Sequence, residues 1–291
     1  MRCLLVALGL ISLLSPAFAA DYDLPDYDPP TLRGSQTFVP AFPTYPRWEG
    51  LYAGGQLSFS SAISDFSGAS QPLVAFSLRN STVLAQMSPD QWQVLGTTEP
   101  GAGGFGGFVG YNFQWDNAII GLELNYTHAS LNADAPSTPL TRNQVVGGLI
   151  NSVTLTSSGS LHISDFATTR ARFGWVIDHF MPYATIGLAF GRADMVLSTV
   201  VLDQLSDPNN LIPNPNPPPA IVAAPAGFFS FSQGQAKSGA YLYGFSGGGG
   251  LEVGLTQNIF ARGEYEFIQW QRLWQIASSM HNLRLGLGVK F

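Results

Sequence analysis

A two-residue alternation of apolar and polar side chains recurs in eight separate segments of the sequence. In the last segment, HNLRLGLGVKF at 281–291, aliphatic residues and a phenylalanine alternate with polar residues and glycine up to the final position. A period of two is the spacing of a β-strand with one apolar face. The other seven segments lie at 48–59, 104–114, 118–128, 162–176, 182–192, 241–255 and 259–270. The sequence therefore predicts an all-β protein of eight strands.

The connections between these segments alternate between short and long. Three of them, near 115–117, 178–179 and 256–258, have the length and the Asp or Asn content of tight hairpin turns. The other connections are longer and run over 60–103, 130–160, 193–239 and 271–280. Short turns on one rim and long loops on the other are typical of an antiparallel transmembrane up-and-down β-barrel with periplasmic turns and extracellular loops.

The third long connection contains the proline-rich stretch 207–227. Because proline interrupts helices and central strands, we expect an extended surface loop here. A functional lid is the less favoured alternative, since long loops often carry function.

The first twenty residues have the pattern of a secretory signal peptide. Arg2 precedes an apolar run that is too short to span a bilayer, and small residues end the segment. We expect cleavage after Ala19 or Ala20, which removes Cys3, the only cysteine, and leaves no thiol or disulfide chemistry. Residues 21–47 form an extension rich in Pro and Asp, and the barrel is expected over 48–291.

Charge distinguishes a membrane barrel from a soluble carrier barrel. Only 11% of the residues are charged, about half the usual share. The charged strand positions lie opposite apolar faces, which favours charges inside and lipid outside. The predicted lumen residues are Glu123, Arg170, Arg172, Glu252, Arg262, Glu264, Glu266 and Arg284. At ~3.3 Å per residue and ~40° of tilt, most of them fall in one layer roughly 10–18 Å above the short-turn rim, where they should pair.

The sequence alone also allows two other interpretations of these charges. They could be surface charges of a soluble protein, or a catalytic set, although a buried charge cluster needs partners merely to exist. A net charge of −6 without a basic stripe predicts no nucleic-acid partner. We expect Lys290, next to the C-terminus, to reach periplasmic water.

Aromatic residues cluster near the predicted strand ends and indicate two girdles at the membrane interfaces. Near the short turns lie Trp48, Tyr111, Trp115, Trp175, Phe180, Tyr183, Phe260 and Phe291. Near the long loops lie Tyr126, Phe190, Phe267 and Trp270.

The histidines offer the only candidates for chemistry at the loop side. His128 with Ser130, or His162 with Asp165, could serve a lipid-modifying enzyme, and loop-side histidines could bind haem. Neither pairing lies in a known motif, and no two histidines have metal-ligand spacing. We therefore predict no enzyme activity, no cofactor and no metal.

Several motifs, in order along the chain, resemble the small porin-family surface proteins of alphaproteobacteria, which are similar to the membrane domain of OmpA. They are AFAA at the end of the signal peptide, WEGLYAGG, GFVGYNFQW, TTRARFGW, PYATIGLAFG, GGGGLEVGL and the terminal LGLGVKF. The resemblance implies an outer-membrane barrel of a Gram-negative cell envelope. It also implies that the aromatic last strand is the signal read by the barrel-assembly machinery, through Leu283, Leu285, Leu287, Val289 and Phe291.

The predicted function is therefore a structural, surface-exposed barrel that supports envelope integrity and contacts host or environment through its loops. A passive small-solute porin is the alternative, although water-filled porins use sixteen or more strands. The expected partners are outer-membrane lipid and lipopolysaccharide, the assembly machinery and periplasmic chaperones, and extracellular ligands at the loops.

Overall fold

The structure, a computed structural model, describes residues 47–213 and 221–291. The predicted signal peptide and all but the last residue of the 21–47 extension lie outside these residues. The described strands are β1 (Gly50–Asp65), β2 (Thr97–Thr98), β3 (Gly101–Trp115), β4 (Ala118–Asp134), β5 (Leu140–Val146), β6 (Leu149–Trp175), β7 (Phe180–Pro213), β8 (Ile221–Gly254), β9 (Ile259–Trp270) and β10 (Ala277–Lys290). Between β1 and β2 lie helices α1 (Gln71–Ser77) and α2 (Thr82–Met87) and a 3-10 turn (Pro89–Gln91).

Eight of these strands form a closed antiparallel barrel in the order β1, β3, β4, β6, β7, β8, β9, β10. The ring closes because β10 pairs with β1, from Tyr52 opposite Lys290 to Asp65 opposite Ala277. The last strand is therefore held on both sides, and no strand edge is left open within the barrel wall. Apart from one or two terminal residues, all eight predicted segments lie in these strands, so the predicted eight-stranded barrel is confirmed.

The tight turns lie together at one end of the barrel, as predicted. Asp116 and Asp178 have φ angles of 51° and 55°, in the left-handed region. Asp and Asn tolerate this region better than other side chains, which explains their presence in the turns.

The side chains of each barrel strand alternate between the lumen and the outer surface. In β10, Leu283, Leu285 and Leu287 are exposed on the outside, whereas Arg284 is buried inside. This alternation confirms the predicted apolar outer face.

The predicted aromatic girdles are only partly correct. Trp48, Tyr183, Phe260 and Trp270 are buried in the interior. The prediction considered only how far along its strand each residue lies. Whether a side chain faces the lumen or the lipid is decided by the two-residue alternation. Exposed girdle positions include Tyr111, Trp115, Trp175, Phe180, Phe291, Tyr126 and Phe190.

At the long-loop end, three barrel strands continue beyond the barrel wall as a sheet. β6, β7 and β8 keep pairing there, and β5 adds a short fourth strand beside β6. We call this the loop-end sheet.

The extended loop predicted over 207–227 has strands in its described parts, since 207–213 and 221–227 lie in β7 and β8, although β7 there pairs with β8 alone. Their prolines occupy positions that a sheet tolerates. Pro208 lies within a register shift between Asp207 and Leu211, and Pro213 ends β7.

The connection between β1 and β3 folds into the mouth of the barrel. Phe66, Val74 and Trp92 are buried there against inward-facing residues of the barrel and the loop-end sheet, such as Leu155 and Met280. We call residues 66–95 the plug segment. No helix within 47–213 and 221–291 is long and apolar enough to cross a membrane.

Asp203 lies buried in β7 of the loop-end sheet, and its Oδ1 atom has no hydrogen-bond partner among the described residues. Burial raises the pKa of this carboxyl group. The folded sheet therefore binds the proton more tightly than the unfolded chain does, and it gains stability as the pH falls through the raised pKa.

We expect Asp203→Asn, which is neutral throughout, to stabilise this sheet at pH 7 and to match the wild type well below the ordinary aspartate pKa of about 3.9. Hydrogen-exchange protection factors of residues 199–205 across this pH range test the expectation. The same difference between the two proteins at every pH would contradict it.

Candidate functional site

The structure brings all eight predicted lumen residues together in one cluster, which we call the charge network. β6 contributes two arginines, β9 contributes one arginine and two glutamates, and β4, β8 and β10 contribute one residue each. None of the eight side chains is more than 1% exposed. Four arginines face four glutamates, so the formal charges of the network cancel.

Arg170 is the most connected member of the charge network. Its Nη2 atom lies 2.5 Å from Glu123 Oε1 and 2.7 Å from Glu264 Oε2. Its Nη1 atom donates to Glu264 Oε1 at 2.6 Å and to Glu266 Oε1 at 3.1 Å. One guanidinium therefore neutralises carboxylates from two different strands.

The other three arginines complete the pairing. Arg172 donates to Glu252 at 2.7 Å and to Glu123 at 3.1 Å. Arg262 donates to Glu123 at 2.9 Å. Arg284 donates to Glu264 at 2.9 Å and to Glu266 at 2.5 Å. Every glutamate thus accepts from at least one arginine, which is the condition for burying such charges.

Neutral side chains that the sequence analysis did not assign to the site extend the network. The hydroxyl of Tyr52 donates to Glu123 at 2.8 Å, and that of Tyr183 donates to Glu264 at 2.7 Å. Gln56 accepts from Arg262 at 2.8 Å, and Asn282 donates to Glu266 at 3.3 Å. Tyr52 and Gln56 both lie on the inward face of β1. The two-residue alternation of this strand could therefore have identified them as lumen residues.

Aromatic rings cover the flat faces of two guanidinium groups. The Cζ atom of Arg262 lies 3.4 Å from the ring centroid of Phe108, and that of Arg172 lies 4.2 Å from Tyr183. These cation–π contacts occupy the sides of the guanidinium groups where hydrogen bonds cannot form.

Below the charge network, an apolar cluster fills the short-turn end of the lumen. It consists of Trp48, Tyr52, Phe108, Ile119, Val176, Met181, Tyr183 and Phe260. Lys290 belongs to this end but is buried, so the expectation that it reaches water is wrong. Its Nζ atom donates to the carbonyl of Arg47 at 2.9 Å and lies 4.2 Å from the ring centroid of Trp48.

Above the charge network, a polar layer is followed by the plug segment. Gln56 and Asn125 exchange two hydrogen bonds of 2.8 and 3.1 Å in the polar layer. Beyond them, the inward side chains become apolar and pack against the plug segment. Buried side chains therefore line the lumen at each of these levels, from the short turns to the long loops.

The three loop-side histidines lie on the outer face, and His128 and His162 have other partners than those considered for an enzyme site. His128 Nδ1 lies 2.7 Å from Asp165 Oδ1, and the Tyr126 hydroxyl donates to the same oxygen at 2.6 Å. His162 instead pairs with Asn132. The His162–Asp165 pair considered for an enzyme does not form, because the strand register places Asp165 opposite His128 and His162 opposite Asn132.

The part of the chain that the structure describes contains neither a serine–histidine pair at His128 nor a cluster of metal ligands. No serine hydroxyl is hydrogen-bonded to His128 there. In the same residues, no group of three or more His, Cys, Asp or Glu side chains could hold a metal ion.

The residues of the predicted assembly signal all face outwards. Leu283, Leu285, Leu287, Val289 and Phe291 are exposed at the outer surface of β10 and its end. Their proposed reading by the assembly machinery stays a prediction.

Comparisons with known proteins agree with this architecture. The sequence profile of the outer membrane protein beta-barrel domain matches residues 38–291. The 25 kDa outer-membrane immunogenic protein of Brucella ovis is 24% identical over 99% of this chain and 96% of its own length. The corresponding Brucella melitensis protein is 23% identical over the same shares.

Solved structures of small outer-membrane barrels are similar at lower identity. Ail, the attachment invasion locus protein of Yersinia pestis, is 13% identical with a TM-score of 0.35, over 84% of this chain and 99% of Ail. Neisserial surface protein A is 12% identical with a TM-score of 0.31, over 83% of this chain and 97% of that protein.

The profile match spans most of the chain, and the eight strands, the apolar outer face and the charged lumen are those of a membrane barrel. The Brucella relatives confirm the resemblance to alphaproteobacterial surface proteins. The chain belongs to the outer membrane protein β-barrel family and is a surface protein of the outer membrane.

Proposed function

We propose that this protein is a structural barrel with a closed lumen, which supports envelope integrity and contacts the surroundings of the cell through its extracellular segments. The observation that carries the proposal is the charge network, in which Arg170 joins carboxylates of β4 and β9 across the lumen. Such cross-links hold opposite walls of the barrel together and occupy the space that a solute would need.

Passive diffusion is the alternative that the porin-family resemblance suggests. Eight strands enclose an interior just wide enough for side chains, whereas water-filled porins use sixteen or more. The plug segment and the apolar cluster at the short turns add further obstacles. These features support a barrel that works through its rigidity and its surface.

We expect the purified, folded protein to show no stable single-channel conductance in planar lipid bilayers. A variant in which a short Gly/Ser linker replaces the plug segment should also stay closed, because the charge network remains. The matched control is a sixteen-stranded porin inserted under the same conditions. Stable, uniform openings of the wild-type protein would overturn the closed lumen and favour the porin.

The surface role rests on the size of the extracellular part. The plug segment and the loop-end sheet together place large portions of the chain outside the membrane, whereas the periplasmic turns are short. The Brucella relatives are named as immunogenic proteins, a name that describes no enzyme activity. We therefore propose contact and structural support, without catalysis or a cofactor, as the work of this barrel.

A further inference from the structure

The upper part of β8 has a partner on one side only. Residues 221–237 pair with β7, but pairing between β8 and β9 begins only at Gly244 and runs to Gly254. Beyond Gly244, β9 has ended and the chain turns back towards β10. The second side of β8 is therefore an open strand edge in the described part of the loop-end sheet.

Between Pro225 and Lys237, this edge lacks the features that usually keep strand edges apart. Residues 226–236, AGFFSFSQGQA, contain no charge and no proline. Phe228 and Phe229 are 58% and 53% exposed, although successive side chains of a strand point to opposite faces. An uncharged edge of this length with exposed phenylalanines is a template for a further strand.

The opposite edge of the same sheet is formed by a different kind of strand. β5 is short and carries Arg142, whose guanidinium carbon lies 4.9 Å from the ring centroid of Trp92 in the plug segment. A short, charged edge strand is a common way to prevent pairing with another chain. The contrast within one sheet singles out the β8 edge.

We propose that the β8 edge pairs with the same edge of a second copy of the chain. The inference rests on the proposed surface role and names the partner of that contact. Antiparallel pairing centred on Phe231 places Ser230 opposite Ser232, and Phe228 opposite Gly234. Each pair is compatible in size, and no like charges meet across residues 226–236.

The direction of the strands decides where the second copy lies. β8 runs from the long-loop end of the barrel towards the short turns. Two antiparallel β8 strands therefore belong to barrels that point in opposite directions, which places the copies in two facing membranes. The contact is the same on both copies and uses up both edges, so it stops at a pair.

Vesicle tethering tests this inference with the full chain. Two batches of phosphatidylcholine vesicles, each carrying the protein and a different fluorescent dye, are mixed and scored for two-colour coincidence. We expect the wild type to tether vesicles. The Ser230→Lys/Ser232→Lys variant should lower coincidence about tenfold, because like charges then lie directly opposite each other. Ser230→Glu/Ser232→Glu should fail in the same way.

Mixing the two variants provides the decisive comparison. Vesicles with the lysine variant should tether those with the glutamate variant, since opposite charges then face each other across the pair. The control Ser198→Lys/Val200→Lys adds the same charge to β7, which is paired on both sides, and should leave tethering unchanged. Each variant must also keep the heat-resistant folded band of the wild type on unboiled gels.

Three results would overturn the inference: a folded wild type that does not tether, tethering that ignores the charges, or a lysine–glutamate mixture that stays apart. None of them would affect the closed lumen, which conductance measures separately. Conversely, a conducting barrel that tethers would overturn the proposed closed lumen and leave this contact standing.

Discussion

Replacing Arg170 by alanine is expected to lower the free energy of unfolding of the barrel by about 3–5 kcal/mol. Arg170 is fully buried and donates to Glu123, Glu264 and Glu266. Its removal leaves one uncompensated negative charge in the buried network, which costs far more than the lost contacts alone. Unfolding by urea in lipid vesicles, followed by tryptophan fluorescence, measures the loss.

Two further variants separate charge from packing. Arg170→Met keeps most of the side-chain volume and should cost nearly as much as alanine, because the buried network then holds four glutamates but only three arginines. Arg47→Ala removes an arginine whose side chain is 79% exposed beside Glu49, and should cost at most about 1 kcal/mol. Wild-type stability in Arg170→Met would mean that volume, rather than charge, holds the lumen together.

Replacing Phe66 by alanine is expected to weaken the docking of the plug segment by about 3–5 kcal/mol. The Phe66 ring is fully buried and lies against Gly159 of β6, and the Phe66 amide donates to the carbonyl of Gly96 at 3.2 Å. The cavity left by the ring stays open, because the hydrogen-bonded strands around it cannot move in to fill it. The plug segment should therefore open while the barrel stays folded.

Limited proteolysis with chymotrypsin detects this opening. Cleavage after Leu78 or Trp92, which are both buried, should accelerate ~100-fold or more, in line with the lost docking energy. The matched control is Phe76→Ala in α1, whose ring is exposed and which should leave the rate within a few fold of the wild type. Equal cleavage of all three proteins would show that Phe66 does not hold the plug segment.

The barrel itself could be predicted because its signal is local. In β10, the alternation of Leu283, Arg284 and Leu285 is visible within three consecutive positions. Because lipid lies outside the barrel and a narrow lumen inside, the leucines must face outwards and the arginine inwards. The short turns carry equally local signals, such as Asp116 and Asp178. Strand number, strand direction and the charges of the lumen therefore follow from neighbouring residues.

Other features depend on contacts between distant parts of the chain. Tyr183 looks like an interfacial aromatic in the sequence, yet its hydroxyl bonds Glu264, which lies 81 residues further along. Whether His128 or His162 meets Asp165 depends on the register of β4 against β6. The register comes from the closure of the whole barrel, which no single segment encodes.

The sequence by itself determined that this chain spans the outer membrane as eight strands around a charged interior, because period-two alternation fixes which side chains face lipid. Only the tertiary structure decided which charges pair, that residues 66–95 fill the mouth, and that one edge of β8 stays open. Those outcomes depend on contacts between segments that are far apart in the sequence, and these contacts form only when the barrel closes.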